Sequence, residues 1–411
     1  MASRLHTGCI VRSPDARSPS TTDGGVVRRS VEAILRNQAD NGAIIASPDF
    51  AQYHFCWLRD GSFSAYALDV AGEHEASARY HAWVARAVDG IATTMSDAIA
   101  AHRAGEVLDP VRMPPARFAM DGSTVVDDWP NFQVDGYGTW LWSLRRHIDL
   151  GGSDALPEHL LESARRVARY LKEFALHPCY DVWEENGGAR HTSTLACVYG
   201  GLTAGAQLLG DEECERVADE VRSAVLASAA SAGYFTKFAG DRDVDASCLW
   251  LASPFGLVDS KNEYFAKTVR LIEDRLSYDG GLRRYPGDVY FGGGAWPVLT
   301  ASLGWHYASV GNFERANRCR GWIEDRIDAE GRLAEQFGGE SRDHQHFEEW
   351  VSRWGAPARD LTWSHATLVV LSYLLDRPDP VSIMNDRGVR APNRGTEVEV
   401  EVESTGGSGA S

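Results

Sequence analysis

Two glutamates sit in surroundings that suit acid–base chemistry. Glu184 lies in Asp181-Val182-Trp183-Glu184-Glu185-Asn186-Gly187-Gly188, and Glu335 in Arg332-Leu333-Ala334-Glu335-Gln336-Phe337. A carboxyl set against an indole ring loses hydration and holds its proton more tightly, which a general acid at neutral pH requires. A second carboxyl across a reacting bond serves as base or nucleophile. Taken alone, each also reads as an ordinary loop glutamate.

Three further segments carry groups that bind hydroxyls. Tyr53-His54-Phe55-Cys56-Trp57-Leu58-Arg59-Asp60 places a planar donor fork beside an acceptor, suited to two adjacent hydroxyls. It equally describes a helix N-cap with a local ion pair. Trp129 through Gln133 and Asp135 offers binding groups, or caps and turn residues ahead of a helix over 138–146. The run from Arg284-Tyr285-Pro286 through Asp288, Tyr290, Phe291 and Gly292-Gly293-Gly294 is too glycine-rich and aromatic for a plain connector, yet contains no phosphate-loop pattern. Asp343, His344, His346, Glu348 and Glu349 raise the question of a metal, but their spacing matches no zinc motif. No metal and no cofactor are expected, and no GxSxG nucleophile is present.

These segments need elements to hold them. Val31, Ile34 and Leu35 have helical spacing within 27–38. Residues 62–71 end at Gly72, and a second helical pattern follows over 73–88. The arrangement recurs around Gly151, Gly210 and Gly311, with second helices over 157–175, 211–227 and 312–327. In two copies a Trp stands eleven residues past the glycine, at Trp83 and Trp322. A helix, a glycine that closes it in a left-handed conformation, and an antiparallel helix make a hairpin. Four or more hairpins in one domain predict an all-α toroid or solenoid, with the polar, aromatic loops gathered at one end.

Composition bounds the partners. The 411 residues carry a formal net charge of −17, which disfavours nucleic acid and anionic membranes but is indifferent to a neutral sugar. Thirteen Trp supply either core volume or the flat apolar platforms on which sugar rings stack. The seven cysteines are scattered without a CxxC pair and read as reduced thiols. No apolar run reaches the roughly 18 residues of a membrane span, and no signal-peptide run opens the chain, so a cytoplasmic location is expected. The expected organisation is a loose arm over 1–25, one catalytic domain over 26–378, and a disordered tail over 379–411 with the alternating Glu/Val run 397–403. Oligomeric state is not legible.

Taken in order, the segments resemble glycoside hydrolase family 15, the glucoamylase family, across about residues 40–375. Tyr53–Asp60 is similar to its Y-x-x-x-W-x-R-D segment, Trp183-Glu184-Glu185 to its W-E-E segment, and Arg284-Tyr285-Pro286 to its R-Y-P segment. Glu335-Gln336-Phe337 is similar to its E-Q-F/Y segment, and Asp360-Leu361-Thr362-Trp363-Ser364 to its D-L-T-W-S segment. The resemblance implies an (α/α)6 toroid and inverting hydrolysis, with carboxyls about 6.5–9.5 Å apart. It implies Glu184 as acid, Glu335 as base and Tyr53 near the attacking water. Trp57, Arg59, Asp60, Trp183 and Arg284 would hold the terminal glucose, Glu185 would face the next sugar, and Trp129 and Trp363 would lie nearby. Phe291 stands where many relatives carry Tyr, which would cost Tyr53 a hydroxyl partner. The chain shows neither the β-sandwich of many bacterial members nor a starch-binding domain. An exo-acting α-glucosidase for short oligosaccharides of the isomaltose type is therefore expected. Maltose-type or trehalose hydrolysis, a different toroid enzyme such as a lyase or phosphorylase, and a catalytically silent sugar-binding toroid are the rivals.

Overall fold

The structure is a computed structural model that describes residues 23–125, 127–153 and 155–376. The tail expected over 379–411, with its Glu/Val run, and most of the expected N-terminal arm lie outside the described residues. The first helix, α1 (Asp23–Arg36), begins inside the stretch expected as an arm.

Thirteen more helices follow. They are α2 (Leu58–Ala71), α3 (His74–Gly90), α4 (Ala92–Arg103), α5 (Asp135–Asp149), α6 (Glu158–Phe174), α7 (Thr192–Leu209) and α8 (Glu212–Ala232). The second half holds α9 (Glu263–Leu276), α10 (Pro297–Ser309), α11 (Phe313–Glu324), the single turn α12 (Gly339–Arg342), α13 (His344–Trp354) and α14 (Thr362–Asp376). Two short antiparallel pairs, Cys56–Trp57 with Arg117–Phe118 and Ser277–Tyr278 with Gly281–Leu282, are the named strands.

Two kinds of helix alternate along the chain. Helices α2, α5, α7, α10 and α14 are buried almost all round, and the 3₁₀ segment Ala246–Leu251 is fully buried. Such sequences must lie inside. Their neighbours in sequence, such as α6, bury one stripe (Leu160, Ala164, Val167, Leu171, Phe174) and expose the rest. The inner elements touch in the order α2, α5, α7, 246–251, α10, α14 and back to α2, which closes a ring. The outer ring is α1, α3, α6, α8, α9 and α11. This is the expected (α/α)6 toroid, with its fourth inner member reduced to 3₁₀ turns.

The hairpins end as the glycine pattern requires: Gly72 and Gly210 cap α2 and α7 in the left-handed region, at φ 88° and 65°. Other glycines serve packing. A Cβ on Gly201 of α7 would lie 2.5 Å from the Cα of Gly138 of α5, and one on Gly138 would lie 2.3 Å from the Cys197 carbonyl oxygen. Two inner helices therefore meet backbone to backbone. Gly201→Ala is expected to destabilise the protein by about 1–3 kcal/mol or more, because neither helix can retreat without opening the ring. Chemical denaturation with an unchanged midpoint would contradict this interlock.

Candidate active site

The inner helices α2, α5 and α14 begin at Leu58, Asp135 and Thr362, and the segments singled out in the sequence lie at or just before these starts. Ring closure collects them at one end. A cavity of about 350 Å³ opens there, lined by Tyr53, Trp57, Arg59, Asp60, Trp129, Trp183, Glu184, Glu185, Arg284, Glu335 and Trp363 among others. Of the expected site residues, only Phe291 does not line it.

Glu184 is presented by a tight turn. Asp181 accepts the backbone N–H groups of Trp183 (3.0 Å) and Glu185 (2.8 Å), and Glu184 takes φ 67°, a left-handed conformation unusual for a non-glycine residue. The buried Asp181 carboxylate is paired in turn with Lys237 at 3.4 Å. The indole that meets Glu184 is not its sequence neighbour. Trp57 donates its Nε1–H to Glu184 Oε1 at 2.7 Å, and Gln133 Nε2 donates to the same oxygen at 3.2 Å. Trp183 instead turns its Nε1–H to Asp245 at 2.8 Å. Glu185 accepts the Tyr285 hydroxyl and Lys237 Nζ at 3.2 Å.

Glu335 is pinned from both sides. Its N–H donates to the Ala358 carbonyl at 3.0 Å, and Ala295 and Phe337 bridge next to it. The Tyr53 hydroxyl donates to Glu335 Oε1 at 2.8 Å, and the Tyr290 hydroxyl lies 2.8 Å from that of Tyr53. Tyr53 has one proton and gives it to Glu335, so Tyr290 is the donor to Tyr53. Glu335 Oε2 has no hydrogen-bond partner among the described residues. Burial pushes the Glu335 carboxyl up to about 8, while the Tyr53 hydroxyl and the Arg284 charge pull it down.

Position 291 is not the only source of a hydroxyl for Tyr53. The Phe291 ring is buried beside Phe50, Tyr290 and Trp350, and the hydroxyl partner of Tyr53 is the preceding residue, Tyr290. Phe291 takes φ 43° and its neighbours Gly292 and Gly293 take 75° and 68°. A Cβ on Gly292 would lie 2.2 Å from the Gly339 carbonyl oxygen. The glycine run therefore serves close backbone packing that aims Tyr290 at the cavity.

Charged groups line the floor. Arg59 Nη1 donates to Asp135 at 2.8 Å, its Nε lies 3.3 Å from Asp60, and its guanidinium rests 5.4 Å from the centre of the Trp363 ring. Burial pushes Asp60 up to about 6, against the pull of Arg59. Arg284 makes a fork to Asp288 at 2.5 and 2.9 Å and lies among the rings of Trp183, Tyr290 and Trp296. Trp129 is held by Arg117, whose guanidinium sits 3.6 Å above its ring.

Sequence reasoning missed part of the wall. Trp350, Arg353 and Trp354 of α13 and Trp296 line the cavity. The segment 343–354 drew attention only for its His and Asp. Its Phe347, Trp350, Val351 and Trp354 repeat at helical spacing, and that pattern was the available signal. His346 pairs with Asp343 at 2.8 Å and His344 with Glu348 at 3.3 Å, so these groups do not converge on one point.

The geometry matches known proteins. The sequence profile of glycosyl hydrolases family 15 matches residues 24–373. An isomaltose glucohydrolase of Kribbella flavida is 37% identical over 354 residues, 84% of this chain and 91% of its own. A solved glycosidase superposes with a TM-score of 0.81 at 37% identity, covering 85% of this chain and 96% of that one. A bacterial glucoamylase complexed with acarbose shares the fold, with a TM-score of 0.64 at 20% identity over 87% of this chain and 57% of its own. A profile spanning almost the whole ring, on a toroid whose inner-helix ends converge on one carboxylate-lined cavity, leaves one assignment: the chain is a glycoside hydrolase and belongs to glycosyl hydrolase family 15.

Proposed function

We propose that this enzyme is an inverting exo-α-glucosidase that releases β-D-glucose from the non-reducing ends of short oligosaccharides, with α-1,6 linkages of the isomaltose type preferred. The observation that carries this reading is the convergence of Glu184 and Glu335, 151 residues apart in sequence, on one cavity. A cavity of about 350 Å³ is at the small end of ligand pockets and suits a disaccharide better than a polymer run. The likeness to the Kribbella isomaltose glucohydrolase supports the linkage.

In this reading Glu184 is the general acid. Trp57 and Gln133 fix its Oε1, which leaves the other oxygen to carry the transferable proton to the leaving sugar. Glu335 is the base, and its unpartnered Oε2 activates the water on the opposite face of the ring. Arg59 and Asp60 grip hydroxyls of the terminal glucose, while Trp57, Trp183, Arg284 and Trp363 complete its walls. Glu185 and Trp129 stand toward the next sugar.

Burial alone favours the protonated form of Glu335, the opposite of what a base needs. The Tyr290–Tyr53 hydroxyl chain and Arg284 offset it. The low-pH limb of kcat/KM should therefore lie above the ordinary glutamate range. Tyr53→Phe removes a donor that favours the carboxylate, so the limb should move to higher pH and turnover below it should fall about ten- to hundredfold. An unmoved limb would separate Tyr53 from the base.

An NMR time course on isomaltose, maltose and trehalose tests the function. Fastest turnover of isomaltose with β-glucose as first product is expected. α-Glucose appearing first refutes inversion, maltose or trehalose turning over faster refutes the linkage, and a requirement for phosphate marks a phosphorylase.

A further inference from the structure

We propose that Asp69, His81 and His147 form a structural site for a borderline divalent cation, Zn²⁺ by preference, at the end of the toroid opposite the active-site cavity. The three residues come from three helices: Asp69 from the last turns of α2, His81 from α3 and His147 from the last turn of α5. The active-site groups Asp60 and Asp135 start α2 and α5. Asp69 stands nine positions after Asp60 on α2, about 13 Å along the axis.

The three donors converge. One ligand atom from each lies within 4.8 Å of the other two, and all three residues are buried. Tetrahedral Zn²⁺ holds donors at about 2.0–2.1 Å, hence about 3.3 Å from one another, so binding needs side-chain adjustments of about an ångström. His81 is the observation that separates this cluster from an ordinary buried ion pair. Its exposure is 0%, and neither ring nitrogen has a hydrogen-bond partner among the described residues. A buried imidazole left so is costly, and a cation that takes one of its lone pairs resolves it.

The surroundings orient the donors. Asp69 Oδ2 accepts the Ser77 hydroxyl at 2.6 Å, and Oδ1 lies 2.9 Å from His74 Nδ1; His147 Nδ1, 2.8 Å from the same Oδ1, is itself a proposed ligand and must open to about 3.3 Å on binding. Such partners fix the direction of ligand atoms. The His147 ring sits where a side chain on Gly152 would be, since a Cβ there would lie 2.2 Å from it. His74 is one-third exposed and gives an approach from solvent. Two imidazoles and one carboxylate suit Zn²⁺ and its neighbours in the transition series, whereas Ca²⁺ and Mg²⁺ demand oxygen ligands. The expectation of no metal rested on cysteine spacing and on 343–349; these three ligands share no local motif and meet only through helix packing.

The test uses the full chain without a histidine tag. After chelation and reloading, elemental analysis should find one Zn²⁺ per chain, and Co²⁺ should give visible bands of a tetrahedral site. Zn²⁺ should raise the melting temperature of the chelated protein by several degrees. Glucoside hydrolysis at 25 °C should change less than about twofold on chelation, because the cation stands far from the cavity. Ser77→Ala should weaken Zn²⁺ binding about 10- to 100-fold, and His81→Gln and His147→Gln should abolish it. Absence of stoichiometric metal in the reloaded parent, or full binding retained in both Gln variants, overturns the site. The parent measurement decides alone if a variant does not fold.

Discussion

Glu335→Gln is expected to lose about 10²- to 10⁴-fold in turnover of its oligosaccharide substrate, and Glu184→Gln a similar amount, because in the proposed mechanism each is a positioned proton-transfer group. The two losses should differ in kind. Fluoride leaves a sugar with little protonation, so Glu184→Gln should recover most of its rate on α-glucosyl fluoride. Glu335→Gln should stay slow on both substrates, since water still has to be activated. Steady-state kinetics of the two variants on the two substrates measure this. The reverse pattern would exchange the acid and base roles, and parent-like rates in both variants would end the proposed mechanism.

The same substitution carries a stability signature of opposite sign. Burial raises the Glu335 carboxyl to about 8, so the fold favours its protonated form. That contribution is present below the ordinary glutamate range and is lost as pH rises from there through about 8. Gln cannot ionise. Glu335→Gln should therefore melt at a higher temperature than the parent above about pH 8, and the two should converge near pH 4. A carboxylate kept in a desolvated pocket costs stability, which the proposed role of Glu335 as base would explain.

The second large effect is structural. Arg59→Leu leaves Asp135, which is 1% exposed, without its cation, and removes the charge that opposes desolvation of Asp60. Breaking a buried pair from one side costs about 3–5 kcal/mol, a fall in melting temperature on the order of 10 °C. Pairing it with Asp135→Asn should restore much of the loss, because the orphaned charge goes too. Sugar affinity should not return, since the donor fork is still absent. Equal stability of Arg59→Leu and the double variant, in calorimetry, would contradict the account.

Much of this is legible in the sequence. Gly72, Gly210 and Gly311 announced hairpins, and the structure places α2–α3, α7–α8 and α10–α11 around them. Local physics explains why: a glycine in the left-handed region ends a helix wherever it occurs, and apolar periodicity follows from one helix burying one face. The ordered motifs carried the family. Helix α13 escaped because its polar residues suggested ligands, while its Phe347, Trp350 and Trp354 stripe went unweighed.

The partners of each site residue were not legible, because they are remote in sequence. Trp57 reaches Glu184 across 127 positions, and Tyr53 reaches Glu335 across 282. The adjacent Trp183 looked like the natural neighbour of Glu184, but the left-handed turn at Glu184 sends the two side chains to different partners. Tyr290 gives Tyr53 a hydroxyl partner because the run 291–293, with its positive φ angles, decides which ring faces the cavity. The sequence by itself determined the helical hairpins and the family, and singled out Glu184 and Glu335 as candidates. Closure of the ring alone decided what each glutamate touches, how deeply Glu335 is buried, and that Asp69, His81 and His147 meet. Hydrogen bonds and desolvation act over a few ångströms of space, and only tertiary packing turns a separation of hundreds of residues into such a distance.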